Sequence, residues 1–145
     1  MALPSQTLHH IGFVVPSIAG AVEHFTAGLC MRWDGRIFHD PLQSVRVTFL
    51  EQEAAGAPLI ELVEPASPES HLAGFLKRGG GLHHLCYEVD LLDARIESAL
   101  ASGAILVRGP APAVAFGGRK IAWVCTPDRL LVEYLERASP AQPAA

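Results

Sequence analysis

One pattern is stated twice in this chain, and that repetition restricts its fold more than any other feature. An opening segment reads Leu8-His9-His10-Ile11-Gly12-Phe13-Val14-Val15, and a second reads Leu82-His83-His84-Leu85-Cys86-Tyr87-Glu88-Val89. Each leads into a stretch with helical spacing of apolar residues. Each half then closes on an apolar strand carrying one enclosed glutamate, in Leu59-Ile60-Glu61-Leu62-Val63 and in Leu130-Leu131-Val132-Glu133-Tyr134-Leu135. The halves are offset by 74 residues at the histidines and by 72 at the glutamates. They match in pattern rather than identity, which describes a duplicated module and not a solenoid array.

Local signals give each module the order β-α-β-β-β. In the first, a strand over 8–15 ends at Pro16, and Ser17 caps a helix running to about Cys30 with Ala21, Val22, Phe25 and Leu29 on one face. Extended segments follow at 32–38, 44–51 and 58–64. In the second, the strand 82–89 precedes Asp90 as a cap, a helix over 91–102, and strands near 104–108, 119–125 and 129–136. Residues 66–81 form the connector. Ser67-Pro68-Glu69 reads as the start of a short helix that Gly79-Gly80-Gly81 stops. The reading is a single α+β domain over 1–138, with modules at about 8–65 and 82–136, and a small, Pro-rich, disordered tail at 139–145.

Strand side chains alternate faces, so His10 and Gly12 share one face while His9 and Ile11 share the other. His84 and Cys86 oppose His83 and Leu85 in the same way. A carboxylate among apolar neighbours costs several kcal/mol unless it is paired or metal-bound. Glu61 and Glu133 meet that description, whereas Glu64, Glu88 and Glu136 fit a solvent-facing position. One histidine from the first strand and one glutamate from the last strand of each module make a set of two imidazoles and two carboxylates. Such a set suits Mn²⁺, Fe²⁺, Co²⁺, Ni²⁺ or Zn²⁺. Alternation lets only one of the two adjacent histidines in each half point inward, and does not say which.

Composition excludes several classes. A net charge of -4 and scattered basic residues argue against nucleic acid as a partner. No apolar run of about 18 residues exists to span a membrane, and the first seven residues lack the pattern of a signal peptide. Cys30, Cys86 and Cys125 form no C-x-x-C pair, so a disulfide framework is not expected and a reducing cytoplasm is. Cys86 reads as a small buried hydrophobe. His24, His39 and His71 have no partner at meaningful spacing and read as surface residues.

The chain resembles the vicinal oxygen chelate superfamily, with its glyoxalase-like curved mixed sheet of paired β-α-β-β-β modules around one metal site. Within that superfamily it resembles the methylmalonyl-CoA epimerases. The resemblance is carried by Leu8-His9-His10-Ile11-Gly12, the segment 43–50, Leu59-Ile60-Glu61-Leu62-Val63-Glu64-Pro65, the run from Gly79 to Asp90 and Leu131-Val132-Glu133-Tyr134, and it spans about residues 8–136. It selects His10 and His84 as the ligand histidines and puts Glu61 on a position the family fills with Gln or Glu. Glu133 falls on the family's last carboxylate, a ligand and a base. The implied chemistry is epimerisation of a 2-substituted acyl-CoA, methylmalonyl-CoA foremost, by removal of the proton alpha to the thioester through a metal-stabilised enolate. A homodimer is implied as well.

Two features depart from the epimerase pattern. Val47 stands where some epimerases carry a second catalytic glutamate, which leaves the second proton donor unassigned. The loop Thr126-Pro127-Asp128-Arg129-Leu130 is short and lacks the family's Gly-Gly. The Phe116-Gly117-Gly118-Arg119-Lys120 loop offers amides and charges to an anionic group, or is a solvated turn. The competing readings are a glyoxalase I-type lyase and a non-catalytic small-molecule-binding protein of the same fold. Glu61, as a second carboxylate, argues against an extradiol dioxygenase, which uses two histidines and one carboxylate.

Overall fold

Strand β1 (Gln6–Val14) ends before Pro16, and Ser17 turns the chain into helix α1 (Ile18–Thr26) by accepting a hydrogen bond from the Gly20 amide at 3.2 Å. The computed structural model describes residues 5–138, so the expected tail at 139–145 lies outside the described residues. Three strands were expected to complete the first module, and four are present: β2 (Arg32–Trp33), β3 (Phe38–Asp40), β4 (Val45–Glu51) and β5 (Leu59–Pro65). The segment expected at 32–38 is cut because Asp34 accepts hydrogen bonds from the Arg36 amide at 2.9 Å and from Arg36 Nε at 2.8 Å, closing a turn. Its two pieces, β2 and β3, both pair with β4.

The connecting helix α2 (Ala73–Lys77) begins later than Ser67-Pro68 suggests. Those residues close a turn instead, with the Ser70 amide donating to the Ser67 carbonyl at 3.1 Å. Gly79, Gly80 and Gly81 all adopt positive φ, which ends the helix and feeds β6 (Gly81–Val89). Helix α3 (Leu92–Ala101) has no side-chain cap; Asp90, expected to provide it, accepts from Arg137 Nε at 2.6 Å. Strands β7 (Ile105–Pro112), β8 (Lys120–Cys125) and β9 (Leu131–Glu136) complete the chain, with a 3-10 turn at Val114–Phe116 between β7 and β8.

Among the described residues the strands form one mixed sheet in the order β2-β4-β5-β1-β6-β9-β8-β7, with β3 on β4. The duplication is visible in that order. The two opening strands β1 and β6 pair antiparallel at the centre, and each closing strand, β5 or β9, lies parallel beside its own opening strand. The modules therefore join within one chain. One set of apolar residues, Ile18, Leu50, Ile60 and Leu62, packs with α1, and another, Val89, Leu92, Ile96, Val124 and Val132, packs with α3. Leu50 and Leu62 are fully buried, each worth about 1.5–3 kcal/mol of transfer free energy. Among the described residues no helix is long and apolar enough to cross a membrane.

Candidate metal centre

Four adjacent strands, β5, β1, β6 and β9, each contribute one side chain to a single point: Glu61, His10, His84 and Glu133. All four are buried. His10 Nε2 lies 3.2 Å from His84 Nε2, 3.5 Å from Glu61 Oε1 and 3.2 Å from Glu133 Oε1. His84 Nε2 lies 3.3 Å from Glu61 Oε1 and 3.9 Å from Glu133 Oε1. Every residue selected from the sequence is thus brought to the cluster.

The strand backbones explain how two large imidazoles face each other here. Gly12 of β1 is the register partner of both Glu61 and His84, and Cys86 of β6 is the partner of both His10 and Glu133. A small residue sits beside each ligand histidine. Cys86 is itself fully buried, with burial and then Glu133 pushing its thiol pKa well up, so it stays a neutral packing residue as expected.

Strict alternation is broken at both histidine pairs. Leu8 pairs with Tyr87 and His10 with Cys86, so His9 is an extra residue in β1. Gly12 pairs with His84 and Phe13 with Leu82, so His83 is an extra residue in β6. Each is a bulge, which re-aims side chains that a regular strand would send to opposite faces. The outer histidines consequently touch the inner ones: His9 Nδ1 is 2.8 Å from His10 Nδ1, and His83 Nδ1 is 2.9 Å from His84 Nδ1. Only His10 and His84 bring Nε2 to the cluster, one histidine of each pair, and the bulges lay the outer rings against them.

The two buried carboxylates favour positive charge at the cluster. Burial opposes a charged His10, but Glu61 and Glu133 outweigh it and push its pKa up to about 10. Burial likewise opposes a charged Glu61, yet His10 and His84 hold its carboxyl well below the usual range. The outer rings go the other way. Burial, then His10, lowers His9, and burial, then His84 and His71, lowers His83 to about 4.

A divalent ion fits these residues. Ligand atoms about 2.1 Å from one ion lie about 3.0 Å apart at neighbouring octahedral corners and about 3.4 Å apart in a tetrahedron. The spacings here, 3.2 to 3.9 Å, lie about the tetrahedral value. Glu133 Oε1 is enclosed and makes no hydrogen bond of good geometry, an orphaned acceptor of the sort a metal ion satisfies. The ligand atoms of His10, His84 and Glu133 all lie within 4.8 Å of one another.

Apolar and aromatic groups enclose the cluster. The Phe116 ring stacks on His10 at 5.9 Å between centroids, and Trp123 packs edge-on to His84 at 4.7 Å. The glycine loop thus serves the site through Phe116, while Arg119 is engaged elsewhere, on Glu88 at 2.7 Å. Glu64 and Glu88, expected to face solvent, are both held in ion pairs, Glu64 by Arg46 at 2.6 Å. Val47 is buried in the wall of a small cavity of about 40 Å³ that reaches Glu61, His84 and Glu133. His71, read from the sequence as a plain surface residue, lines the same cavity. This cavity shares Gln43, His71, His83 and Trp123 with a wider one of about 320 Å³ that includes Arg108. The doubled His-His was the signal for His9 and His83; Phe116, Trp123 and His71 had none.

A family model of the Glyoxalase/Bleomycin resistance protein/Dioxygenase superfamily matches residues 9–123. Over 124 residues the chain is 31% identical to an ethylmalonyl-CoA/methylmalonyl-CoA epimerase of Cereibacter sphaeroides, covering 83% of this chain and 89% of that one. The methylmalonyl-CoA epimerase structure from Mycobacterium tuberculosis superposes with a TM-score of 0.77 at 28% identity, over 91% of this chain and 88% of that one. A hypothetical protein from Bacillus halodurans C-125 gives a TM-score of 0.81 at 31% identity, over 96% and 99% of the two chains.

Proposed function

Because the chain belongs to the Glyoxalase/Bleomycin resistance protein/Dioxygenase superfamily, we propose that it epimerises a 2-substituted acyl-CoA, methylmalonyl-CoA being the first candidate, with a divalent ion held by His10, Glu61, His84 and Glu133. Its class, isomerase, follows from likeness to epimerases over most of both chains. The observation that carries the rest is the convergence of two imidazoles and two carboxylates, one of each from either module, with Glu133 Oε1 left without a hydrogen bond.

A proton alpha to a thioester carbonyl is only weakly acidic. When bound, the ion supplies Lewis-acid stabilisation of the negative charge that develops on the carbonyl oxygen as the proton leaves. Glu133 is the base: its carboxylate is buried at the cluster, and a proton taken there stays near the carbon it came from. Phe116, Trp123, Val47 and Val63 line the cavity and keep bulk water off the reacting carbon, so it is reprotonated by enzyme groups, which exchange their protons with solvent between turnovers. Val47 carries no proton, so the second face of the carbon is served by a group other than the side chain at 47. The wider cavity, apolar at Val107 and Leu131 and cationic at Arg108, supports an extended anionic thioester. Arg108 makes no ion pair among the described residues.

The proposal includes a reducing cytoplasm, supported by three free cysteines, and a homodimer, which sedimentation checks. The decisive experiment loads the purified protein with Co²⁺ and incubates it with methylmalonyl-CoA in D₂O. Deuterium at the α-carbon and interconversion of the epimers are expected. No uptake, with turnover of the methylglyoxal–glutathione hemithioacetal instead, replaces the epimerase with a glyoxalase I-type lyase. Failure to retain any divalent ion refutes the metal centre.

A further inference from the structure

Each ligand histidine turns Nε2 to the cluster and would bind an ion through it, which leaves Nδ1 as its second polar atom. That atom has one partner in each half. His10 Nδ1 meets His9 Nδ1 at 2.8 Å, and His84 Nδ1 meets His83 Nδ1 at 2.9 Å. Two ring nitrogens at hydrogen-bond distance carry one proton between them, so one donates and the other accepts. If Nε2 of the inner ring offers its lone pair to an ion, the inner ring's proton resides on Nδ1 and the outer ring accepts it. The outer ring then carries its own proton on Nε2.

The arrangement is built rather than incidental. Both outer histidines are the extra residues of bulges, one in β1 and one in β6, at matching points of the duplication. The two contacts have similar geometry, with rings at 77° and 88° to each other. Each outer ring is clamped by its own aromatic pair: His9 by Phe49 and Phe116, His83 by Phe75 and Trp123. Two bulges that keep one nitrogen-to-nitrogen contact, in halves that otherwise match in pattern rather than identity, imply a shared requirement.

We propose that His9 and His83 are positioning residues that accept the Nδ1–H of His10 and His84 and thereby hold both Nε2 lone pairs on the ion. The inference rests on the metal site proposed above. A partner of this kind fixes the tautomer and the ring orientation of a ligand imidazole, and its loss costs about 10–100-fold in metal affinity.

The test measures Zn²⁺ affinity and stoichiometry by competition with a chromophoric chelator. Wild type, His9→Phe, His83→Phe, His9→Asn and His83→Asn are compared, with folding checked by circular dichroism. Phenylalanine keeps the ring and its aromatic contacts but has no acceptor; asparagine keeps an acceptor oxygen. Binding weakened about 10–100-fold in each Phe variant and largely restored in each Asn variant is the expected result. Nitrogen-15 spectra of the zinc-loaded wild type should show both outer rings protonated at Nε2. If wild type binds no zinc, the metal site itself fails. If wild type binds and the Phe variants bind as tightly, the positioning role is overturned while the site stands. A second zinc equivalent lost in His9→Phe makes His9 a ligand, which also overturns it.

Discussion

Gly12 lies against the His84 imidazole so closely that a β-carbon at position 12 would overlap the ring. The ring cannot tilt away freely, because Trp123 and His83 pack against it. Gly12→Ala therefore displaces His84 from the cluster. Overpacking of this kind costs about 1–3 kcal/mol. The expected result is a folded protein of lower denaturation midpoint that no longer retains a stoichiometric metal ion. Full metal content after reconstitution would show that the ring has another place to go.

The close approach of Gly12 and His84 also marks where reading from sequence stopped. Apolar flanks identified Glu61 and Glu133 as enclosed carboxylates, because neighbours such as Ile60, Leu62, Val132 and Tyr134 are local information. The duplication put one of each ligand type in both halves, which found both glutamates and left two adjacent histidines per half; the family resemblance chose His10 and His84. Which histidine of each pair turns inward was not local. It depends on how β1 lies against β6, and the two bulges exist only in that pairing. The same limit explains Asp90 and Ser67. Both are good capping residues by type, but Asp90 is taken by Arg137, remote in sequence, and Ser67 by a turn that delays α2. Phe116 and Trp123 reach the site from the second module by packing alone, which leaves no periodic trace.

The two carboxylates should respond differently to loss of charge. Glu61 occupies a position that the epimerase pattern fills with either Gln or Glu, and its Oε1 approaches both imidazoles, as a neutral amide oxygen also can. Glu61→Gln should keep the ion and most of the α-proton exchange. Glu133→Gln removes the base, and exchange into the α-carbon should fall by about 10²–10⁴-fold. Deuterium uptake followed by NMR, alongside metal content, separates the two. Equal losses in both variants would argue against Glu133 as the sole base.

Acid–base behaviour of the metal-free protein follows from His10. Its folded-state pKa, about 10, lies above the ordinary value of 6.5, because Glu61 and Glu133 outweigh the burial that opposes its charge. Its stabilising contribution is therefore complete below 6.5 and is lost as the pH rises through about 10. Glu61 is displaced the opposite way, so its contribution is present above its ordinary 4.5 and is lost as the pH falls. A divalent ion needs the His10 lone pair and must expel that proton. Between pH 6.5 and 10 metal affinity should then rise by up to about tenfold per pH unit. Chelator competition across this range measures the slope, and urea unfolding of metal-free protein measures the stability. A flat affinity profile would remove His10 as the protonated competitor.

Thr48 offers a control in which stability changes and the metal centre does not. Its side chain is fully buried on β4, accepting a hydrogen bond from Trp33 Nε1 at 2.7 Å and donating to the Arg36 carbonyl oxygen. One hydroxyl thereby ties β2 and the turn at Asp34–Arg36 to the sheet. Thr48→Val keeps the shape but strands the indole N–H and the carbonyl, at a cost of about 1–3 kcal/mol. None of the four ligands hydrogen-bonds to Thr48, so zinc affinity should match wild type while the urea midpoint falls. Trp33 and Arg36 line a separate cavity of about 380 Å³ that His9 also borders. If zinc affinity falls as well, that wall is coupled to the metal through His9, and the site extends further along the sheet than its four ligands.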